Sequence, residues 1–183
     1  MDAKIYLADY SKKSDRFFKK FFSEKRKEAS KIDPLAVDVL RTLENYIHGG
    51  KKFRGTLTLL GYQLVGGHNF EAIFPISVAV EIMHSSLLVH DDFIDGDKVR
   101  RGKPTVHEVH SKNVSEHFGT SMALLIGDVG FFLSNQIFAE SVFRPNLITK
   151  ALISFQRLLT NTGYGEILDI AFDQNKETKW NEI

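Results

Sequence analysis

Three aspartates, Asp91, Asp92 and Asp95, close an otherwise apolar stretch, and four cations, Lys98, Arg100, Arg101 and Lys103, follow within a few residues. Carboxylates grouped this way suit a hard divalent cation. Mg²⁺ takes oxygen ligands, keeps several waters and commonly bridges one or two carboxylates to phosphate oxygens. Arginine and lysine then donate to the phosphate oxygens that the metal leaves uncovered. The combination points to a magnesium polyphosphate as ligand. Salt bridges among the same side chains, or a solvated acidic helix end, are the plainer readings.

A second anion site is suggested by HGGKKFRG, where Gly49 and Gly50 close one helix and Lys51, Lys52 and Arg54 open the next. Free N–H groups at a helix start attract phosphate, and neighbouring cations reinforce them. The GxxxxGK[ST] spacing of a P-loop is absent. A Gly-Gly helix end beside solvated lysines would produce the same pattern.

The elements that must hold these residues are helical. His84, Leu88, Asp91 and Asp95 recur at helical spacing, so the carboxylates share one stripe with Asp92 beside it. Negative groups at a helix C-terminus oppose its macrodipole and repel one another, which calls for a cation. Upstream, FEAIFPISVAVEIMHSSLLVH is apolar nearly all round and reads as an enclosed helix with a bend at Pro75. Asp33 followed by Pro34 predicts a helix start, with Leu35, Val39, Leu43 and Ile47 on one face. Another helix runs from Phe53 to Val65 and stops at Gly66 and Gly67. Further helices are expected from Gly119 to Val142, and from Asn146 to Phe172 with an interruption near Gly163. Phe17, Phe18, Phe21 and Phe22 are expected to dock a first helix onto the body, with contact of the basic amphipathic stretch Phe17 to Lys31 with a membrane surface as the alternative. No stretch alternates apolar and polar residues over a strand's length, so the expected architecture is all-α, an antiparallel bundle around a long central space.

Composition excludes several alternatives. With 24 basic and 23 acidic side chains there is no global charge to attract nucleic acid or an anionic membrane. The absence of cysteine removes disulfides, thiolate zinc sites and cysteine nucleophiles, and is compatible with a cytoplasmic protein. The N-terminus has no signal-peptide pattern, and no run reads as long enough to span a bilayer.

Taken together, GGKKFR and HSSLLVHDDFIDGDKVRRGKPTVH resemble the signature of the head-to-tail trans-isoprenyl diphosphate synthases, and GYGEILDI is similar to a further segment of that family. The resemblance runs from about Pro34 to the end. It implies a magnesium-dependent prenyltransferase of isoprenoid biosynthesis with the isoprenoid synthase helical fold, a homodimer or one subunit of a complementing pair. Its substrates would be isopentenyl diphosphate and an allylic diphosphate. On this resemblance Asp91, Asp92 and Asp95 form the first DDxxD motif, with Asp91 and Asp95 as direct Mg²⁺ ligands and Asp92 in support. Arg100 would hold the allylic diphosphate, and Lys51, Arg54, His84 and Arg101 the isopentenyl diphosphate; Gly55 stands where proline is frequent. Asp128 matches a Gly-Asp pair and suits an interhelical hydrogen bond at least as well as catalysis, while Glu166 and Asp169 could face the metal or the surface.

Ser86 and Leu87 occupy the positions that set product length. Neither is aromatic, so geranylgeranyl diphosphate or a longer product is expected, and phenylalanine at Ser86 should shorten it. The sequence ends at KETKWNEI, before the family's second Asp-rich motif, so residues 1–183 are expected to be a single partial domain lacking the C-terminal helices, with weak or no turnover alone. A noncatalytic synthase subunit fits the same pattern. Glu81 and His84, spaced E-x-x-H, also raise a di-iron bundle, which requires a second such motif that the sequence lacks.

Overall fold

The computed structural model of the chain describes residues 2–112 and 114–174. These form helices α1 (Ala3–Ala29), α2 (Pro34–Ile47), α3 (Phe53–Leu64) and α4 (Phe70–Ile94), a hairpin of β1 (Val99–Arg100) with β2 (Lys103–Pro104), and helices α5 (Val106–Ser111), α6 (Glu116–Ala139) and α7 (Pro145–Gln174). The expected all-α class is what the described residues show. Two compact units divide the chain, Met1–Ser141 and Val142–Ile183. The first holds α1 to α6 and the second α7. KETKWNEI lies outside the described residues.

Helix boundaries follow from local capping. Asp33 accepts from the Leu35 N–H at 2.7 Å, with Pro34 in the first turn, and this starts α2 where the sequence placed it. Its buried face is Leu40, Leu43 and Ile47, however, and Leu35 is exposed. An apolar residue in a first turn need not meet the core, because the helix axis there has not yet reached its neighbours. Gly66, at φ +84°, ends the turn after α3 in a conformation that side chains with a Cβ rarely adopt.

In the first unit α4 packs against α6, α3, α5 and α2, which explains its lack of a polar face. Val78, Ala79, Ile82 and Val89 are fully buried, and each such valine or isoleucine contributes about 1.5–3 kcal/mol relative to exposure. α4 is continuous through Pro75. By length and composition α4 and α6 could each cross a membrane. Here their apolar sides meet one another, and Ser134 on α6 donates to the Ala79 carbonyl on α4 at 2.8 Å.

α1 begins at Ala3, earlier than the phenylalanine cluster suggests, and Phe18 and Phe22 are the members fully buried. Higher up, Tyr10 donates to Ser77 Oγ on α4 at 3.2 Å. In the second unit α7 runs unbroken through Gly163 and Gly165, contrary to the expected interruption. A glycine costs about 1 kcal/mol in a helix interior relative to alanine. That is too little to interrupt a 30-residue helix.

Candidate functional site

The acidic end of α4 is built by its own termination. Asp95 is the C-cap, Gly96 follows at φ +71°, and the Asp97 N–H returns to the Asp92 carbonyl at 2.8 Å. This left-handed glycine turn reverses the chain into the hairpin. Thr105, fully buried, closes the loop by donating to the Asp97 carbonyl at 2.7 Å. Arg101 and Gly102 take positive φ at the hairpin tip, so Arg100 is carried back over the carboxylates it follows in sequence.

The three aspartates are not equivalent. Asp92 is fully buried, and both of its oxygens are engaged, Oδ2 by the Tyr46 hydroxyl at 2.6 Å and Oδ1 by Arg100 Nε. Burial, reinforced by the adjacent Asp92 carboxylate, pushes the Tyr46 hydroxyl far above the usual phenol range and keeps it a donor. Asp91 and Asp95 lie one turn apart near the surface of the same helix. Burial and then the charge of Asp95 raise the Asp91 carboxyl above the usual range, against the pull of Arg100. Arg100 Nη2 also reaches Asp91 at 3.0 Å and Asp97 at 3.4 Å. The ion-pair reading of the sequence therefore holds for Arg100. Among the described residues no three His, Asp or Glu side chains form a metal cage by themselves. Two outward carboxylates with phosphate and water completing the shell are the donor set Mg²⁺ ordinarily uses, so Asp91 and Asp95 fit it.

Beside this end, Lys51, Arg54, His84 and Arg101 line one cleft of about 370 Å³ together with Gly49, Gly50 and Glu81. Their sequence separation is bridged by the α2–α3 turn packing on α4. Arg54 Nη1 donates to His84 Nε2 at 3.1 Å, and because arginine can only donate, His84 is neutral with its proton on Nδ1. Burial, followed by Arg54 and Arg101, pushes His84 down to about 4. Among the described residues Lys51, Arg54 and Arg101 form no ion pair. A concave site with three cations outside any ion pair, a neutral imidazole and a single carboxylate, Glu81, has the chemistry to receive a polyanion.

The family model described as Polyprenyl synthetase matches residues 37–183. The chain belongs to the polyprenyl synthetase family. It is 31% identical over 134 residues to geranylgeranyl diphosphate synthase of Methanosarcina mazei, which covers 73% of this chain and 39% of that protein. It is 35% identical over 153 residues to a short chain isoprenyl diphosphate synthase of Methanothermobacter thermautotrophicus, covering 81% and 42% respectively. Among solved structures, geranylgeranyl pyrophosphate synthetase of the archaeon Geoglobus acetivorans superposes with a TM-score of 0.76 at 27% identity, over 96% of this chain and 52% of that one. The Corynebacterium glutamicum geranylgeranyl pyrophosphate synthase complexed with isoprenyl diphosphate and magnesium reaches a TM-score of 0.88 at 22% identity, over 98% and 53%, a likeness of fold. The chain spans about two fifths of the length of the curated relatives it matches.

Within this polyprenyl synthetase chain, several side chains have roles that sequence spacing did not disclose. Glu81, buried, accepts from the Gly55 N–H at 2.6 Å. A proline at 55 would have no N–H to give, and a Cβ there would meet the Tyr10 hydroxyl and, at 2.7 Å, the Ser77 carbonyl. Gly55 is thus demanded by its contacts, a stronger constraint than the helix start alone. Lys52 points inward, donates to the Ile47 carbonyl and lies 4.8 Å from the Phe18 ring centroid, so it holds α1 instead of a ligand. With Glu81 bonded to Gly55 and His84 to Arg54, the E-x-x-H pair is not an iron site, and the di-iron reading is set aside.

Ser86 is fully buried, donates to the Ile82 carbonyl at 2.9 Å, and abuts Gly130 where α4 crosses α6. Leu87 is half-buried. His90 Nε2 donates to the Leu124 carbonyl at 3.0 Å and lies 3.6 Å from Asp128 Oδ1, its ring filling the notch left by Gly127. Asp128 thus lies beside His90 but beyond hydrogen-bond distance, the Nε2 proton going to Leu124. Glu166 and Asp169 belong to α7, in the second unit. Tyr46 is the site residue the sequence reading missed, since the apolar spacing of α2 does not mark it. Gly50 was read within the anion-binding turn, but not as the seat on which Arg101 rests.

Proposed function

We propose that this chain carries the diphosphate-binding half of a head-to-tail prenyltransferase, which joins isopentenyl diphosphate to an allylic diphosphate. The observation that carries this reading is the cleft in which Lys51, Arg54, His84 and Arg101 converge, its three cations outside any ion pair among the described residues and its one carboxylate, Glu81, bonded to the Gly55 N–H. In the reading, the cleft takes isopentenyl diphosphate, and Asp91, Asp95 and Arg100 take the allylic diphosphate. Asp91 and Asp95 would hold Mg²⁺, which when bound supplies positive charge to the departing diphosphate. Asp92 keeps Arg100 aimed by holding its Nε, leaving Nη1 to the leaving group. Apolar walls from α4 and α6 keep water from the allylic cation until the isopentenyl double bond attacks it and the released diphosphate takes up the proton that is lost. Asp128 is proposed to act through His90.

The product is proposed to be geranylgeranyl diphosphate or longer. Leu87 leaves the path below the carboxylates free of an aromatic barrier. Ser86 is already sealed against Gly130, so enlarging it first disturbs the α4–α6 contact. A homodimer or complementing pair is proposed, supported by Leu125 and Phe132, which stand 54% and 70% exposed one above the other on α6. A cytoplasmic location is taken with the cysteine-free sequence.

The deciding assay supplies both diphosphates and Mg²⁺ and determines product length for this chain and for Asp91→Asn, each alone and mixed with a candidate synthase partner. Prenyl product that depends on Asp91 supports the reading. Equal activity in Asp91→Asn overturns it.

A further inference from the structure

A second cavity, of about 350 Å³, lies between α2, the hairpin and α5. Thr42, Tyr46, Pro104, Val106 and Val109 give it a mainly apolar wall, and Arg101 and Lys103 stand at its cationic end. Gly49 and Arg101 line both this cavity and the diphosphate cleft, so they form the partition between them. Among the described residues neither Arg101 nor Lys103 forms an ion pair, whereas Arg100 is committed to Asp91, Asp92 and Asp97. An apolar pocket ending in unpaired cations is complementary to a small molecule with an anionic head and an apolar body.

Arg101 is built to move between the two sides. Its backbone is fixed in the hairpin tip at φ +52°, but its guanidinium rests on Gly50, 3.2 Å from where a Cβ would stand. A long side chain over a bare glycine can swing with no core contact broken. We propose that this second cavity binds a small aryl or alkyl phosphate, whose head group draws Arg101 out of the diphosphate cleft. The first half is independent of the function proposed above. The coupling rests on it, because it requires the cleft to use Arg101 for diphosphate. By linkage, each ligand then weakens the other by the same factor.

The test follows backbone amide shifts of the 183-residue chain titrated with phenyl phosphate, with inorganic phosphate and phenol as separate controls. The expected result is saturable shifts at Thr42, Asn45, Val106 and Val109 with phenyl phosphate, and weaker ones with either control. Val109→Trp, placed at the exposed lip, should abolish binding by filling the cavity. Lys103→Glu on the surface should weaken binding about tenfold, and Arg54→Ala, in the other cleft, should leave it unchanged. Shifts centred on Lys51 and Arg54 that vanish in Arg54→Ala would overturn the proposal, as would indifference to both Val109→Trp and Lys103→Glu. Calorimetry with inorganic diphosphate and Mg²⁺ then reads the coupling. Several-fold weaker diphosphate binding in saturating phenyl phosphate supports it, and unchanged affinity overturns it. Absence of any diphosphate binding, with phenyl phosphate still bound, would refute the diphosphate cleft and leave the second site standing.

Discussion

The Tyr46 hydroxyl on α2 donates to Asp92 Oδ2 on α4 at 2.6 Å, and this one bond turns the middle aspartate of the acidic motif inward. With Arg100 on its other oxygen, Asp92 is spent inside the protein. Asp91 and Asp95 are left as the outward pair. The middle carboxylate of the motif is therefore a strut, and Asp91 and Asp95 are the two we propose as ligands.

Removing the strut's donor should be costly without touching any ligand. Tyr46→Phe leaves a buried carboxylate oxygen without its partner and is expected to lower stability by about 1–3 kcal/mol. Urea denaturation measures this. A change within experimental error would mean that Asp92 is solvated and not held as described.

At the outward pair, stability and binding should move in opposite directions. Asp95 is an exposed C-cap carboxylate next to Asp91 and against the helix macrodipole, so Asp95→Asn should stabilise the chain by about 0.3–1 kcal/mol. The same substitution should weaken Mg²⁺-dependent diphosphate binding about tenfold. Thermal unfolding and calorimetry on one sample check both, and a fall in stability alongside intact binding would contradict the assignment.

His84 should titrate far below an ordinary histidine. Its folded value of about 4 lies below the ordinary 6.5, so between these values the unfolded chain holds more protons than the folded one. The associated stability is complete above about pH 6.5 and is lost as pH falls toward 4. Histidine ring resonances followed from neutral pH downward, with His84→Gln for assignment, give the midpoint. Diphosphate in the cleft offsets the field of Arg54 and Arg101 and should raise that midpoint. A midpoint near 6.5 in the free chain would show that the Arg54 contact is absent.

The α4–α6 crossing gives a test by coupling. Gly130→Ala should destabilise by about 1–3 kcal/mol because the added Cβ meets Ser86 Oγ, outweighing alanine's better helix propensity. In a Ser86→Ala background the penalty should shrink by at least about 0.5 kcal/mol. Gly61→Ala, whose added Cβ meets nothing within 4 Å, should instead stabilise slightly. Ser86→Phe is expected to destabilise before it changes product length. Additive effects at Ser86 and Gly130 would place these residues apart.

The sequence by itself determined the helical class, the start of α2 at Asp33 and Pro34, the glycine stops and the chemistry at the end of α4. Each depends on neighbours within a turn or two, where a cap, a left-handed glycine or an i, i+4 carboxylate pair leaves its mark on spacing. Misplaced details were those in which local preference is weak: the exposed Leu35 and the unbroken α7 at Gly163. Only the tertiary structure decided which carboxylate faces inward, why residue 55 is glycine, and that Arg101 lies on Gly50 between two cavities. Those outcomes join residues up to 67 positions apart, as in the Tyr10 to Ser77 bond, through packing that carries no periodic signal along the chain. Helix geometry makes the carboxylates converge, but the packing of α2, the hairpin and α4 turns Asp92 inward and leaves Asp91 and Asp95 at the surface.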